Sequence, residues 1–282
     1  MGLINLILNL AGVLLWLNWR ALRFDALVKS KPATLAGTLR RAEPHRLKRW
    51  HLLASLGGLV LVRAVLYWQL GSSVEWTPRF HLGGVDIVVP FRSDSWWRML
   101  LFSCLSFAVT LGGCYLWLLL LSIVNGRKTE TDPLQKLVRL HLGRVDRWPW
   151  PMKVLVPLLV SAACWYFLSL LLARLGNIPP AASKTHRLEQ SVVVGLGSFL
   201  SWRYLIGGLL ALHLVGSYVY LGDQPFWSFI ALSGRNLLIP LRWVPLRLGK
   251  VDFTPLVGIA VVFFTAELAQ RGLTALYQRL PL

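Results

Sequence analysis

The sequence is short of the residues that usually carry chemistry. It holds three cysteines, Cys104, Cys114 and Cys164, none in a CxxC or metal-ligand spacing and all inside long apolar runs. No disulfide framework, metal site or cofactor is expected. Of the six histidines, His45, His51, His81, His141, His186 and His213, only His213 lies in the middle of an apolar run. A haem or a proton relay would need a partner at the same depth and none is present, so a helix-packing hydrogen bond is the expected role. Ala231-Leu232-Ser233-Gly234 is superficially like the serine segment of an intramembrane protease, but that chemistry needs a downstream histidine and none follows His213. Gly195-Leu196-Gly197 lacks the preceding fold context of a nucleotide loop. Close helix packing is its expected use. No enzymatic activity is expected. The first apolar run lacks a basic n-region and a small-residue cleavage site, and Asn5, Asn9 and Asn18 interrupt it, so it reads as an uncleaved helix. Acids are scarce: 12 Asp and Glu face 30 Lys and Arg, a formal net charge of +18.

What the chain does have is apolar sequence, 55% of its 282 residues, with the charges in blocks between long runs. A run of about 20 apolar residues spans the ~30 Å hydrocarbon core of a bilayer. A soluble core helix would show a polar stripe instead. The expected fold is all-α: a single polytopic membrane domain, 1–282, with six spans at Leu3–Trp19, Trp50–Leu70, Met99–Val124, Val154–Leu172, Tyr204–Leu221 and Thr254–Gln270. The first, third and fifth connections hold 9, 7 and 4 basic residues, 20 of the 30 in the chain. The positive-inside rule places these connections in the cytoplasm and both termini outside it.

The runs pair into units: a divergent first pair, 3–70, then 99–174 and 201–272. Ser95-Trp96-Trp97-Arg98 introduces the third span and Ser201-Trp202-Arg203 the fifth. Asp132-Pro133 and Asp223-Gln224-Pro225 follow those spans as helix starts, the carboxylate accepting orphan amides and the proline having none to lose. After Pro133, Leu134, Leu137, Val138, Leu142 and Val145 share one face, and Gln135, Lys136 and Arg139 the other. That is the pattern of an amphipathic helix lying in the cytoplasmic membrane surface between paired spans. Gly143-Arg144-Val145-Asp146 precedes the fourth span, and Gly249-Lys250-Val251-Asp252 the sixth. Thr254 as N-cap and Pro255 in the first turn should start that last helix. Asp146 and Asp252 read either as complements to a helix N-terminus or as contacts for a substrate or partner.

Gly249-Lys250-Val251-Asp252-Phe253-Thr254-Pro255-Leu256-Val257 resembles the Gly-x-x-Asp-x-Ser/Thr-Pro-Leu signature of the YggT family. Leu237-Leu238-Ile239-Pro240-Leu241-Arg242-Trp243-Val244-Pro245 is similar to that family's Leu-Leu-x-Pro-x-Arg…Pro segment. The resemblance covers Tyr204–Leu268 and, more weakly, Met99–Leu171, where Arg147-Trp148-Pro149 replaces the x-Ser/Thr-Pro step. It implies an enlarged relative of small integral membrane proteins without assigned enzymatic activity, located in a bacterial inner (plasma) membrane. Bacterial relatives are linked to osmotic-stress tolerance and to the neighbourhood of cell-division genes. Plastid and cyanobacterial relatives are linked to haem attachment and nucleoid distribution.

The expected function is a non-enzymatic membrane scaffold or assembly factor. Its expected partners are anionic lipid headgroups and membrane proteins, with a homo-oligomer among the options, and they are favoured over nucleic acid. The expected lipid or partner surface is Lys136, Arg139, Arg144 and Arg147, with Arg235, Arg242 and Arg247. Topology-setting charge is the plainer reading of the same residues. A transporter or channel component is the alternative function. Its candidate charges are Arg63 and Glu267, read as an intramembrane pair or as an ion path.

Overall fold

The structure is a computed structural model that describes residues 2–28, 49–74, 77–82, 84–85, 87–93, 95–126, 133–179, 181, 183–219, 222, 224–241, 243, 247–248 and 251–279. Most of the first basic connection lies outside these residues, as do Arg127, Lys128, Asp132, Asp223, Arg242 and Lys250. The fold is all-α with two small β elements. Helices α1 (Gly2–Val28) and α2 (Arg49–Val74) come first, then strands β1 (Arg79–Leu82) and β2 (Ile87–Pro90), paired in a two-stranded sheet. Helices α3 (Trp96–Asn125), α4 (Pro133–Leu142), α5 (Trp150–Arg174), α6 (Lys184–Ser198), α7 (Trp202–Tyr218) and α8 (Pro225–Leu237) follow. Strands β3 (Arg247–Leu248) and β4 (Val251–Asp252) pair antiparallel before α9 (Thr254–Arg279).

Among the described residues, six helical stretches are long and apolar enough to cross a membrane: Leu3–Ala21, Arg49–Gly71, Trp96–Asn125, Trp150–Arg174, Lys184–Tyr218 and Thr254–Arg279. In hydrocarbon a helix satisfies its own backbone, which is why such runs fold this way. Their side chains face outward. Between 6% and 33% of each span's apolar window is buried, and Leu3, Phe167 and Phe264 are among the most exposed residues. In water that surface would drive aggregation. This is a multi-pass membrane protein.

The fifth span departs from expectation. The chain is already helical at Lys184, because the Ser183 side chain caps α6 by accepting from His186 N at 3.2 Å. Helix α6 passes through a 3₁₀ turn, Phe199–Ser201, into α7, giving 35 helical residues. At 1.5 Å per residue that is about 52 Å, well beyond the hydrocarbon thickness. Ser201-Trp202-Arg203 therefore lies at a 3₁₀ turn inside a helix and does not mark an entry from a loop. Two indoles fasten this turn to α3: Trp117 Nε1 donates to Ser201 O, and Trp202 Nε1 to Leu116 O, each at 3.0 Å. Helix α5 also starts earlier than expected. Pro149 O accepts from Met152 N and Lys153 N, and Pro157 lies inside the helix.

Contacts divide the chain into two compact units, Met1–Pro78 with Pro90–Gly112, and Arg79–Val89 with Gly113–Leu282. The division falls inside α3 and not at the borders of 3–70, 99–174 and 201–272. In the first unit α1 packs on α2, and Phe102 stacks obliquely on Tyr67 and Phe91 at 5.9 and 5.6 Å. In the second, α5 pairs with α6 and α7 with α9. A Cβ on Gly195 would stand 3.0 Å from Leu158 O and 3.2 Å from Ala162 Cβ, so α6 lies against α5 at glycine distance.

Candidate functional site

The densest set of charged contacts among the described residues lies at the C-terminal end of α3. That helix ends at Asn125, and Gly126 turns the chain with φ +57°. Pro133 opens α4, which folds its Val138 and Leu142 back onto Leu119 of α3. A 3₁₀ turn, Gly143–Arg147, then carries Asp146, and Lys153 stands in the first turn of α5. The three segments converge on one carboxylate. Ser122 Oγ donates to Asp146 Oδ1 at 2.5 Å, and Lys153 Nζ donates to Ser122 Oγ at 2.7 Å. Lys153 Nζ also lies 3.9 Å from Asp146 Oδ1, and Arg139 Nε lies 3.5 Å from Asp146 Oδ2. Lys153 is only 7% exposed, a position that an ammonium tolerates when paired and hydrogen-bonded. Beside the cluster is an open cavity of about 400 Å³, whose lining includes Ser122, Asp146, Arg147, Trp148, Trp150 and Lys153.

An amide network backs this site. Asn125 Nδ2 donates to Ser233 Oγ at 2.9 Å and to Gln135 Oε1 at 3.5 Å, and Asn236 Nδ2 donates to Asn125 Oδ1 and Val124 O, both at 3.3 Å. It ties α3, α4 and α8 together. It also sets the rotation of α4: Gln135, expected on the polar face, is 1% exposed, while Leu137, expected on the apolar face, is 50% exposed.

The basic residues expected to form a surface fall into different surroundings. Lys136 and Arg144 are exposed, Arg147 is exposed at the cavity, and Arg139 is turned inward to Asp146. Arg235 is exposed on α8, Arg247 opens β3, and Arg242 lies outside the described residues. Asp146 accepts from Ser122 and is ion-paired with Arg139 and Lys153. Asp252 does serve a helix start: Thr254 N and Thr254 Oγ1 both donate to its Oδ1, at 3.0 and 2.5 Å. Phe253 O accepts the first helical bond of α9, from Val257 N, so Thr254 is not the N-cap. The hydroxyl is a donor to the capping carboxylate, and Pro255 is buried in the first turn.

Arg63 and Glu267 each find partners within their own unit. Arg63, 1% exposed, donates to Asn9 Oδ1 at 2.6 Å and to Asn5 Oδ1, beneath the faces of Tyr67 and Phe102 at 5.4 and 5.9 Å. Asn5 and Asn9 in turn donate to Ser106 Oγ at 3.3 and 3.0 Å. Glu267 pairs with Arg271 at 3.0 Å, one turn along α9. The His213 ring packs on Gly234, where a Cβ would stand 2.5 Å from its Cγ.

Sequence reasoning missed Ser122 and Lys153 as members of one site, and also Asn125, Gln135, Ser233 and Asn236. The one available signal was a serine and an asparagine near the end of an otherwise apolar run. Comparison with protein-family models, curated proteins and solved structures finds no match for this chain.

Proposed function

We propose that this protein is a non-enzymatic scaffold or assembly factor of a bacterial inner membrane that acts through membrane partners and anionic lipid, with α4 and α8 at the cytoplasmic surface and both termini outside. The observation that carries the reading is the stretch from α4 to the start of α5. There the cations Lys136, Arg144 and Arg147 are exposed next to the exposed apolar Leu137 and Trp150. Cations at the polar edge with apolar side chains in the headgroup layer are the chemistry of an anionic bilayer surface. The resemblance of 237–257 to the YggT family supports the same reading. That resemblance also supports the internal repeat, although Asp146 and Asp252 make unlike contacts.

A serine hydroxyl 2.7 Å from a lysine amine is also the geometry of an activated nucleophile. Here the Ser122 proton is given to Asp146 and the ammonium is ion-paired with the same carboxylate. A charged ammonium has no lone pair to accept a proton, so a structural pair is the better account. The full chain in vesicles with and without anionic lipid provides the test: a hydrogen-exchange difference confined to 133–153 and 225–241, and reduced by 1 M salt, is expected. Identical exchange in both vesicle types would remove the lipid reading.

A second reading, a small-solute or ion transporter, draws on one observation: Asn5, Asn9, Arg63 and Ser106 face one another inside a bundle of apolar helices. Intramembrane polar groups of this kind mark pathways in other proteins. Solute flux through the same vesicles, abolished by Arg63→Gln, would establish it, and flux equal to protein-free vesicles would exclude it.

A further inference from the structure

We infer that the cavity beside Asp146 is a built site for one phosphate group, that of an anionic phospholipid headgroup. The inference rests on the anionic-lipid reading and narrows it from a surface to a single place. Three sources of positive potential border the space of about 400 Å³. Arg147 is exposed on its rim. Lys153 is buried in its wall, where Ser122 and Asp146 fix the ammonium. The third source is the N-terminus of α5, a 25-residue helix that begins at Trp150 and carries about half a positive charge at that end. Among the described lining residues one carboxylate, Asp146, opposes them. Asp146 is already engaged by Ser122, Arg139 and Lys153, so the pairing inside the wall leaves the lining cationic.

A phosphate matches such a lining better than a neutral ligand does. Its oxygens accept from ammonium and guanidinium groups alike, and a guanidinium can engage two of them at once. The volume falls within the ~300–1,000 Å³ of small-ligand sites. The surroundings favour a lipid over a free ion. Trp148 and Trp150 flank the cavity, and further along α5 Met152, Leu155 and Leu159 form an exposed apolar face. A phosphate seated at the helix start would let its acyl chains run along that face, with the indoles at headgroup level.

The test is native mass spectrometry of the full chain in neutral detergent, titrated with phosphatidylglycerol or phosphatidylcholine. Wild type is expected to retain one phosphatidylglycerol in preference to phosphatidylcholine. Lys153→Met and Arg147→Gln should each weaken that retention about tenfold, as loss of a charged hydrogen-bond donor does. Arg174→Gln, exposed at the opposite end of α5, should leave it unchanged. Arg147 is exposed, so its variant keeps the test valid even if Lys153→Met misfolds. Wild-type retention by Arg147→Gln would overturn the site. If the protein still preferred anionic lipid in that case, the surface reading would survive the loss of the cavity. No preference for phosphatidylglycerol in wild type would sink both. Competing arms with inorganic phosphate and glycerol 1-phosphate separate the sources: displacement of the lipid at equal concentration by either would overturn the lipid assignment.

Discussion

At the scale of single residues, the two aspartates of the similar Gly-x-x-Asp segments part company. Asp252 stands next to a helix start and takes the amide and the hydroxyl of Thr254. Asp146 stands in a 3₁₀ turn and takes a serine, an arginine and a lysine. The segments look alike because glycine, a basic residue, valine and aspartate recur in order. What a carboxylate meets depends on which helix passes behind it. For α9 this makes a definite prediction. Asp252→Ala should destabilise the protein by about 1 kcal/mol, the usual worth of a capping side chain. Thr254→Val should cost less, because Thr254 N keeps its acceptor. Thermal unfolding in detergent measures both, and a larger loss for Thr254→Val would return the capping role to the threonine.

At the scale of elements, the clearest departure is the helix that runs from Lys184 to Tyr218. Lys184, His186, Arg187 and Glu189 make its first turns look like loop sequence. The Ser183 cap and the packing of α6 on α5 make them helix. Arg187 also lies over the Tyr166 ring at 5.8 Å, which gives its charge a place on the helix surface. The pairing depends on Gly195, whose missing side chain lets α5 approach. Gly195→Val is therefore expected to cost about 1–3 kcal/mol through overpacking, while Gly208→Val on α7, where a Cβ would meet nothing within 4 Å, should cost less. Unfolding of the two variants in the same detergent compares them directly, and equal losses would mean that the α5–α6 contact does not need glycine.

At the scale of the whole molecule, the proposed orientation rests on the basic connections. With the native Cys104, Cys114 and Cys164 replaced by alanine, single cysteines at Lys31, Lys128 and Arg247 should be shielded from a membrane-impermeant thiol reagent applied outside. Cysteines at Val74 and Ser183 should be labelled. Outside labelling at Lys128 would reverse the topology and move the Asp146 cavity to the opposite face.

How much of this was legible in the sequence follows from the range of each interaction. Membrane class, helical fold and the six spans were written in the apolar runs, because a helix in hydrocarbon needs nothing but its own residues to satisfy its backbone. The rotation of α4, the continuity of α6 with α7 and the meeting of Ser122, Asp146 and Lys153 were not. Leu137 and Gln135 exchange their expected faces because Asn125, ten residues from Gln135 in the chain, hydrogen-bonds to it. Ser122 and Lys153 are 31 residues apart and on different helices. No period or motif encodes such a pair. The chain alone determined where it could enter a bilayer, whereas which polar groups meet inside was decided by tertiary packing, since buried side chains take whatever partners neighbouring helices present.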